Sequence, residues 1–170
     1  PTGGGKSLCY ELPALLLPGM TLVVSPLISL MKDQVMALRN AGIPAGCINS
    51  SMSLDELRET YRDARYGAYK LLYVAPERLL TDGFCSLAQE LEIPLVAVDE
   101  AHCISQWGQD FRPSYLKIVE FLQRLPRRPA VAAFTATATA QVRADIIRIL
   151  QLHEPETVVT GFDRPNLRFD

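Results

Sequence analysis

Short runs of apolar residues alternate along the chain with longer stretches in which apolar side chains return every three or four positions. The short runs predict strands at residues 21–25 (TLVVS), 45–49, 71–75 (LLYVA), 95–98 (LVAV), 130–135 (AVAAFT) and 157–160. Most are apolar at every position rather than at every second one, as strands covered on both faces require. Such strands, separated by helical segments, predict an α/β domain with a mostly parallel sheet and helices on both of its faces.

The helix signals between the strands are local. Ser25-Pro26 reads as an N-cap and first-turn proline for a helix running toward Asn40, which Gly42 ends. Ser53-Leu54-Asp55-Glu56 is a capping box, followed by an apolar stripe of Leu54, Leu57, Tyr61 and Ala64. Pro113 is expected to open a helix through Gln123, and Val142, Ile146, Ile149 and Leu150 to form the inner side of another. The tail GFDRPNLRFD reads as an exit from the domain, so residues 1–160 are expected to be one unit and 161–170 the start of a connection to a second.

Composition narrows the picture without deciding it. The 170 residues are 48% hydrophobic and 21% charged, ordinary for a globular domain. With 17 basic and 19 acidic residues, net charge −2, there is no global basic field, so nucleic acid would have to bind through a local surface. Cys9, Cys47, Cys85 and Cys103 form no C-x-x-C pair and have no histidine at zinc-ligand spacing, so no zinc is expected. They are expected to be reduced, mostly buried thiols of a cytosolic protein. The apolar runs are too short to span a bilayer.

The chemistry begins at the first residue. PTGGGKS fits the phosphate-loop pattern G-x-x-x-x-G-K-[ST] with the first glycine falling one position ahead of Pro1, so the strand leading into the loop is expected to be missing from the sheet. Backbone N–H groups of Thr2, Gly3, Gly4 and Gly5 can curl around phosphate oxygens, Lys6 can reach the β- and γ-phosphates, and Ser7 can offer a hydroxyl to Mg²⁺. A flexible glycine linker is the alternative reading of this segment. A second motif favours the phosphate cradle: LVAVDEAH places Asp99 and Glu100 at the C-terminal end of an apolar strand, where open α/β sheets hold ligands. Asp99 can bind Mg²⁺ opposite Ser7, and Glu100 can polarise the attacking water as general base, so ATP is the expected ligand.

Two further segments have no purely structural signature. CISQWGQDFRPSY carries Trp107, Phe111, Arg112 and Tyr115 with no helix or strand period. Its aromatic faces and guanidinium suit single-stranded nucleic acid, while the competing reading has Trp107 and Phe111 plugging the underside of a loop. In AFTATATA the threonines are β-formers and a helix cap, or a relay of nucleotide state to a neighbouring site.

Taken in order, PTGGGKS, VVSPLISLMKDQV, YVAPERL, DEAHCISQWGQDFRPSY, FTATAT and FDRPN resemble the first RecA-like domain of a RecQ-family DNA helicase, across essentially the whole chain. The resemblance implies a RecA-like P-loop fold and an ATP-dependent, 3′ to 5′ DNA helicase of repair and recombination. Lys6 and Glu100 would be catalytic, and Ser7 and Asp99 would be the Mg²⁺ ligands. His102, Gln109, Arg112, Thr135 and Thr137 would couple nucleotide to DNA, and Ser25, Lys32, Asn49, Ser50, Arg78, Trp107, Phe111 and Arg112 would contact it. Gln109 stands where the family pattern has a histidine, and an amide cannot become charged near neutral pH. A helicase-like DNA-binding or remodelling ATPase with weakened coupling is the alternative this raises, alongside an RNA helicase of the same superfamily. The implied partners are single-stranded and partly duplex DNA and a second RecA-like domain of the same chain that supplies an arginine finger, with no membrane involved. The implied location is the cytoplasm, at the nucleoid in a bacterium, or the nucleus in a eukaryote. Without that finger, worth about 10³–10⁵ in rate, this piece is expected to be nearly inactive.

Overall fold

The computed structural model describes residues 5–159. Thr2, Gly3, Gly4, Thr160 and the expected connection at 161–170 lie outside the described residues. In chain order the elements are α1 (Leu8–Leu16), β1 (Thr21–Val24), α2 (Ile28–Asn40), β2 (Ala45–Ile48), α3 (Leu54–Arg65), β3 (Leu71–Val74), α4 (Asp82–Glu90), β4 (Leu95–Val98), α5 (Lys117–Arg124), β5 (Ala130–Ala133) and α6 (Ala140–Ile149), with 3₁₀ turns at Pro76–Arg78, Ala101–Ile104 and Pro113–Leu116.

The five strands form one parallel sheet in the order β2-β3-β1-β4-β5. Successive strand residues point to opposite faces, and each face has its own core. On one side Leu22, Val24, Leu72, Val74, Val96 and Val98 pack with Phe84, Phe121 and Ile146 from α4, α5 and α6. On the other, Val23, Leu71, Tyr73 and Ala97 pack with Tyr10 of α1 and Met31, Val35 and Leu38 of α2. Burial on both faces is why β3 and β4 are apolar throughout and β1 is apolar after Thr21, each fully buried large apolar side chain contributing about 1.5–3 kcal/mol of transfer free energy. β5 differs: it pairs only with β4 among the described residues, and its side chains are half-buried or exposed.

The capping box forms as read, with Ser53 Oγ accepting from the Glu56 N–H (3.2 Å) and Glu56 Oε2 accepting from the Ser53 N–H (2.7 Å). Other expectations are corrected. The helix after β1 starts at Ile28 with Leu27 at its N-cap, and Ser25 caps nothing, being drawn into the core at 1% exposure. The stripe of α3 runs through Leu57, Thr60, Tyr61 and Ala64, and Leu54 lies outside it, 71% exposed at the first helical position. Only Cys103 of the four thiols is buried, and Cys9 is exposed on α1. Residues 157–159 form no strand: Val158 is exposed, and β-propensity without a pairing partner does not hold an extended segment in a sheet. Among the described residues no helix is long and apolar enough to cross a membrane.

Candidate functional site

The chain reverses its direction of travel through the sheet at β1, with β3 and β2 on one side and β4 and β5 on the other. The usual ligand position in such sheets is therefore between the loops after β1 and β4. Asp99 stands directly after β4 at 7% exposure. Its backbone is fixed from both sides, by its N–H donating to the Val24 carbonyl (2.9 Å) and by the buried Tyr115 hydroxyl donating to its carbonyl (2.8 Å). Burial pushes the Asp99 carboxyl above the ordinary aspartate range, and the Glu100 N–H (2.9 Å from Oδ1) and the Lys6 charge offset part of that. The Lys6 charge acting on Asp99 brings the opening motif to the end of β4.

Within that motif Gly5 has a φ of +70°, a conformation that disfavours any side chain, and α1 starts immediately after Ser7. The N–H groups of Leu8, Cys9 and Tyr10 are bonded back to the carbonyls of Gly5, Lys6 and Ser7, which leaves the cradle to the groups upstream of Leu8. Burial pushes the Glu11 carboxyl above its ordinary range and the neighbouring Ser7 hydroxyl offsets part of that, while the Ser7 oxygen can still coordinate.

Glu100 adopts the left-handed conformation (φ 47°, ψ 44°), which costs a non-glycine residue about 1–2 kcal/mol. Two backbone bonds hold it there: Cys103 N–H to the Glu100 carbonyl (2.9 Å) and Ala101 N–H to the Phe134 carbonyl beyond β5 (2.8 Å). From this turn a polar chain runs across to β5. Glu100 Oε2 lies 3.3 Å from His102 Nδ1, and Nδ1 lies 2.8 Å from Thr135 Oγ1. The Thr135 hydroxyl donates to the Thr137 carbonyl (3.1 Å), so the arrangement in which every donor has an acceptor puts the imidazole proton on Nδ1. Glu100, His102 and Thr135 are thereby contiguous, and Thr137 is exposed beside them.

The aromatic segment rises from the same turn. Its base is closed by Arg112 N–H to the Cys103 carbonyl (2.8 Å), and Gly108 N–H bonds the Ser105 carbonyl inside it (3.0 Å). Trp107 is 75% exposed, which decides against its plugging the loop's underside; Gln109 is also exposed and Phe111 half-buried. Arg112 pairs with Asp110 (2.8 Å) and reaches the Pro26 carbonyl (3.4 Å), bridging to the loop after β1. Tyr115 corrects the aromatic reading: it is fully buried and holds the Asp99 backbone instead of facing solvent. Gly108 is fixed by space, since a Cβ there would lie 2.4 Å from the His102 carbonyl oxygen and 3.1 Å from that of Ser105. Gly108→Ala is therefore expected to destabilise the protein by about 1–3 kcal/mol, read as a lowered urea midpoint with an unchanged slope.

The other positions expected to contact nucleic acid divide into two groups. Lys32 on α2 and Ser50 after β2 are exposed, and Arg78 is half-buried with Nε donating to the Asn49 carbonyl (3.3 Å). Ser25 and Asn49 are buried, and Asn49 Oδ1 accepts from both the N–H (2.9 Å) and the hydroxyl (2.7 Å) of Ser51. These two side chains shape the loops that carry the exposed ones and do not themselves face outward. Sequence reasoning also missed Ser105 and Asp145, joined by a 2.7 Å hydrogen bond beneath the aromatic loop. The available signal was Asp145 itself, an acidic residue on the Val142-Ile146-Ile149 side of α6.

Residues 1–146 match the family model described as DEAD/DEAH box helicase. The chain is 54% identical to the ATP-dependent DNA helicase RecQ of Bacillus subtilis over 99% of its own length and 29% of that protein's. It is 42% identical to the ATP-dependent helicase SGS1 of Saccharomyces cerevisiae over 100% of its own length and 12% of that protein's. It thus spans under a third of these relatives. Among solved structures, a hypothetical ATP-dependent RNA helicase from Sulfolobus tokodaii superposes with a TM-score of 0.65 at 22% identity, over 87% of this chain and 43% of that one, which shows a shared RecA-like fold. With that fold, the match across residues 1–146 and near-full-length likeness to RecQ proteins, the chain belongs to the DEAD/DEAH box helicase family and is RecQ-type within it.

Proposed function

We propose that this chain is the ATP-binding lobe of an ATP-dependent DNA helicase that couples hydrolysis to 3′ to 5′ movement along single-stranded DNA in repair and recombination. The observation that carries the reading is the unbroken path from Glu100 through His102 to Thr135, with the Trp107 loop growing from the same turn. A nucleotide at Lys6 and a base stacked on Trp107 would then act on opposite ends of one rigid turn. DNA is favoured over RNA because the chain resembles RecQ-type DNA helicases over nearly all its length.

Lys6, Gly5 and residues 2–4 would take the phosphates, and Glu100 would accept the proton of the attacking water. Asp99 and Ser7 fit a divalent cation: a carboxylate held above its ordinary range by burial is one whose charge a cation would relieve, and Ser7 keeps a coordinating oxygen. Mg²⁺ bound there would supply positive charge against the phosphate oxygens. Trp107 would stack on an unpaired base, while Arg112, Lys32, Ser50 and Arg78 would follow the backbone. Gln109, exposed between Trp107 and Phe111, would contribute to coupling by hydrogen bonding only. A second RecA-like lobe of the same protein would complete the site with an arginine, and the protein would work wherever the chromosome lies.

The test is DNA-stimulated ATP hydrolysis by the protein that carries this lobe. Lys6→Ala is expected to abolish it, since the ammonium that stabilises charge on the transferred phosphoryl is gone, at a cost of about 10²-fold or more in rate. Undiminished turnover would overturn the assignment.

A further inference from the structure

Beneath the aromatic loop lies a polar cluster that neither phosphate chemistry nor base stacking requires. Ser105 is fully buried and Asp145, on α6, is 6% exposed. The Ser105 hydroxyl donates to Asp145 Oδ2 (2.7 Å) and accepts from the Trp107 backbone N–H (3.1 Å). Arg148 Nη2 donates to the other carboxylate oxygen (2.9 Å), so both oxygens have charge-assisted or hydroxyl partners. The Ser105 bond and then the Arg148 charge hold the Asp145 carboxyl below the ordinary range, keeping it an acceptor at neutral pH.

The position of this cluster gives it a use. α6 begins at Ala140, capped by Thr139 Oγ1 accepting from the Val142 N–H (3.3 Å), directly after the segment whose Thr135 bonds His102. The stretch from Thr135 to Asp145 thus grips the turn after β4 twice, at His102 next to Glu100 and at Ser105 next to Trp107. A shift of that stretch against β4 reaches both grips, because only the short link 136–139 separates Thr135 from α6, which carries Asp145. The Trp107 backbone depends on the second grip: without the Ser105 oxygen its N–H has lost the partner the fold provides.

We propose that Asp145, acting through Ser105, is a positioning residue that holds the aromatic loop with Trp107 presented outward, and so sets how strongly DNA stimulates ATP hydrolysis. The second half of this rests on the helicase reading above; the first half does not. Trp107 is the one tryptophan of the chain, so its fluorescence reports the loop directly. Ser105→Ala and Asp145→Ala are expected to lower Trp107 anisotropy and change acrylamide quenching in the absence of DNA. Asp145→Asn, which keeps an acceptor for the Ser105 hydroxyl, is expected to restore the native signal. In the protein that carries the lobe, the two alanine variants are expected to keep basal ATPase and the KM for ATP while the DNA-stimulated kcat falls on the order of tenfold, the equivalent of about 1.4 kcal/mol.

A native Trp107 signal in Ser105→Ala would overturn the proposal, as would an equal fall of basal and stimulated rates together with a lowered melting temperature, which marks a merely structural role. If Asp145→Ala fails to fold, Ser105→Ala, which removes one buried hydroxyl, decides the outcome. Absence of DNA stimulation in the unmutated protein would defeat the helicase reading, and the Trp107 measurements made without DNA would still decide whether the latch exists.

Discussion

Glu100→Gln is expected to lower the rate of ATP hydrolysis by about two to four orders of magnitude while leaving nucleotide affinity within a few-fold. The two side chains have nearly the same shape, so the amide can keep the left-handed backbone and an acceptor toward His102, 3.3 Å away. What it loses is the ability to take a proton from water. The loss should therefore fall on the chemical step, seen as a collapsed single-turnover rate with binding of a fluorescent nucleotide preserved. If turnover stays within tenfold of the original, Glu100 is not the base. If affinity and turnover fall together, its main role is to shape the turn that carries Asp99.

The largest effect on stability is expected at Phe84. This ring is 1% exposed on α4, with ring centroids 5.6 Å from Phe121 on α5 and 6.5 Å from Tyr61 on α3. It joins three helices on one face of the sheet, so Phe84→Ala would leave a cavity that no single neighbour can fill. A cost of about 3–5 kcal/mol is expected, a large part of the roughly 5–15 kcal/mol available to a domain. Urea unfolding should show a lower midpoint, and Phe84→Leu, which keeps much of the volume, should recover most of the loss. A midpoint shift under about 1 kcal/mol would mean that α3, α4 and α5 close over the gap.

The strands were legible because doubly covered strands leave little freedom: LLYV and LVAV are apolar at every position and TLVV at all but its first. The loops were legible where local chemistry leaves one arrangement, as with the reciprocal Ser53 and Glu56 cap, and the place of Asp99 and Glu100 directly after β4 followed from the end of the apolar run. Failures came where a residue has several uses and tertiary packing chooses among them. Ser25 before Pro26 suits an N-cap, but Ser25 is buried at the end of β1 and the helix starts only at Ile28, with Leu27 at its N-cap. Tyr115 suits base stacking by type, yet its hydroxyl is the buried prop of the Asp99 carbonyl. Asn49 has the chemistry of a surface contact and is used within its own turn. The Ser105–Asp145 contact joins residues forty positions apart, and no local pattern encodes such a pairing.

The left-handed backbone of Glu100 has a consequence for anyone who engineers this protein. Glycine adopts that conformation without penalty and asparagine with little, so Glu100→Gly is favoured by the turn itself at the one position proposed to activate water. A library sorted by heat resistance would enrich glycine there and discard catalysis first, while its members went on melting at higher temperatures. Selection at this turn has to be made on turnover.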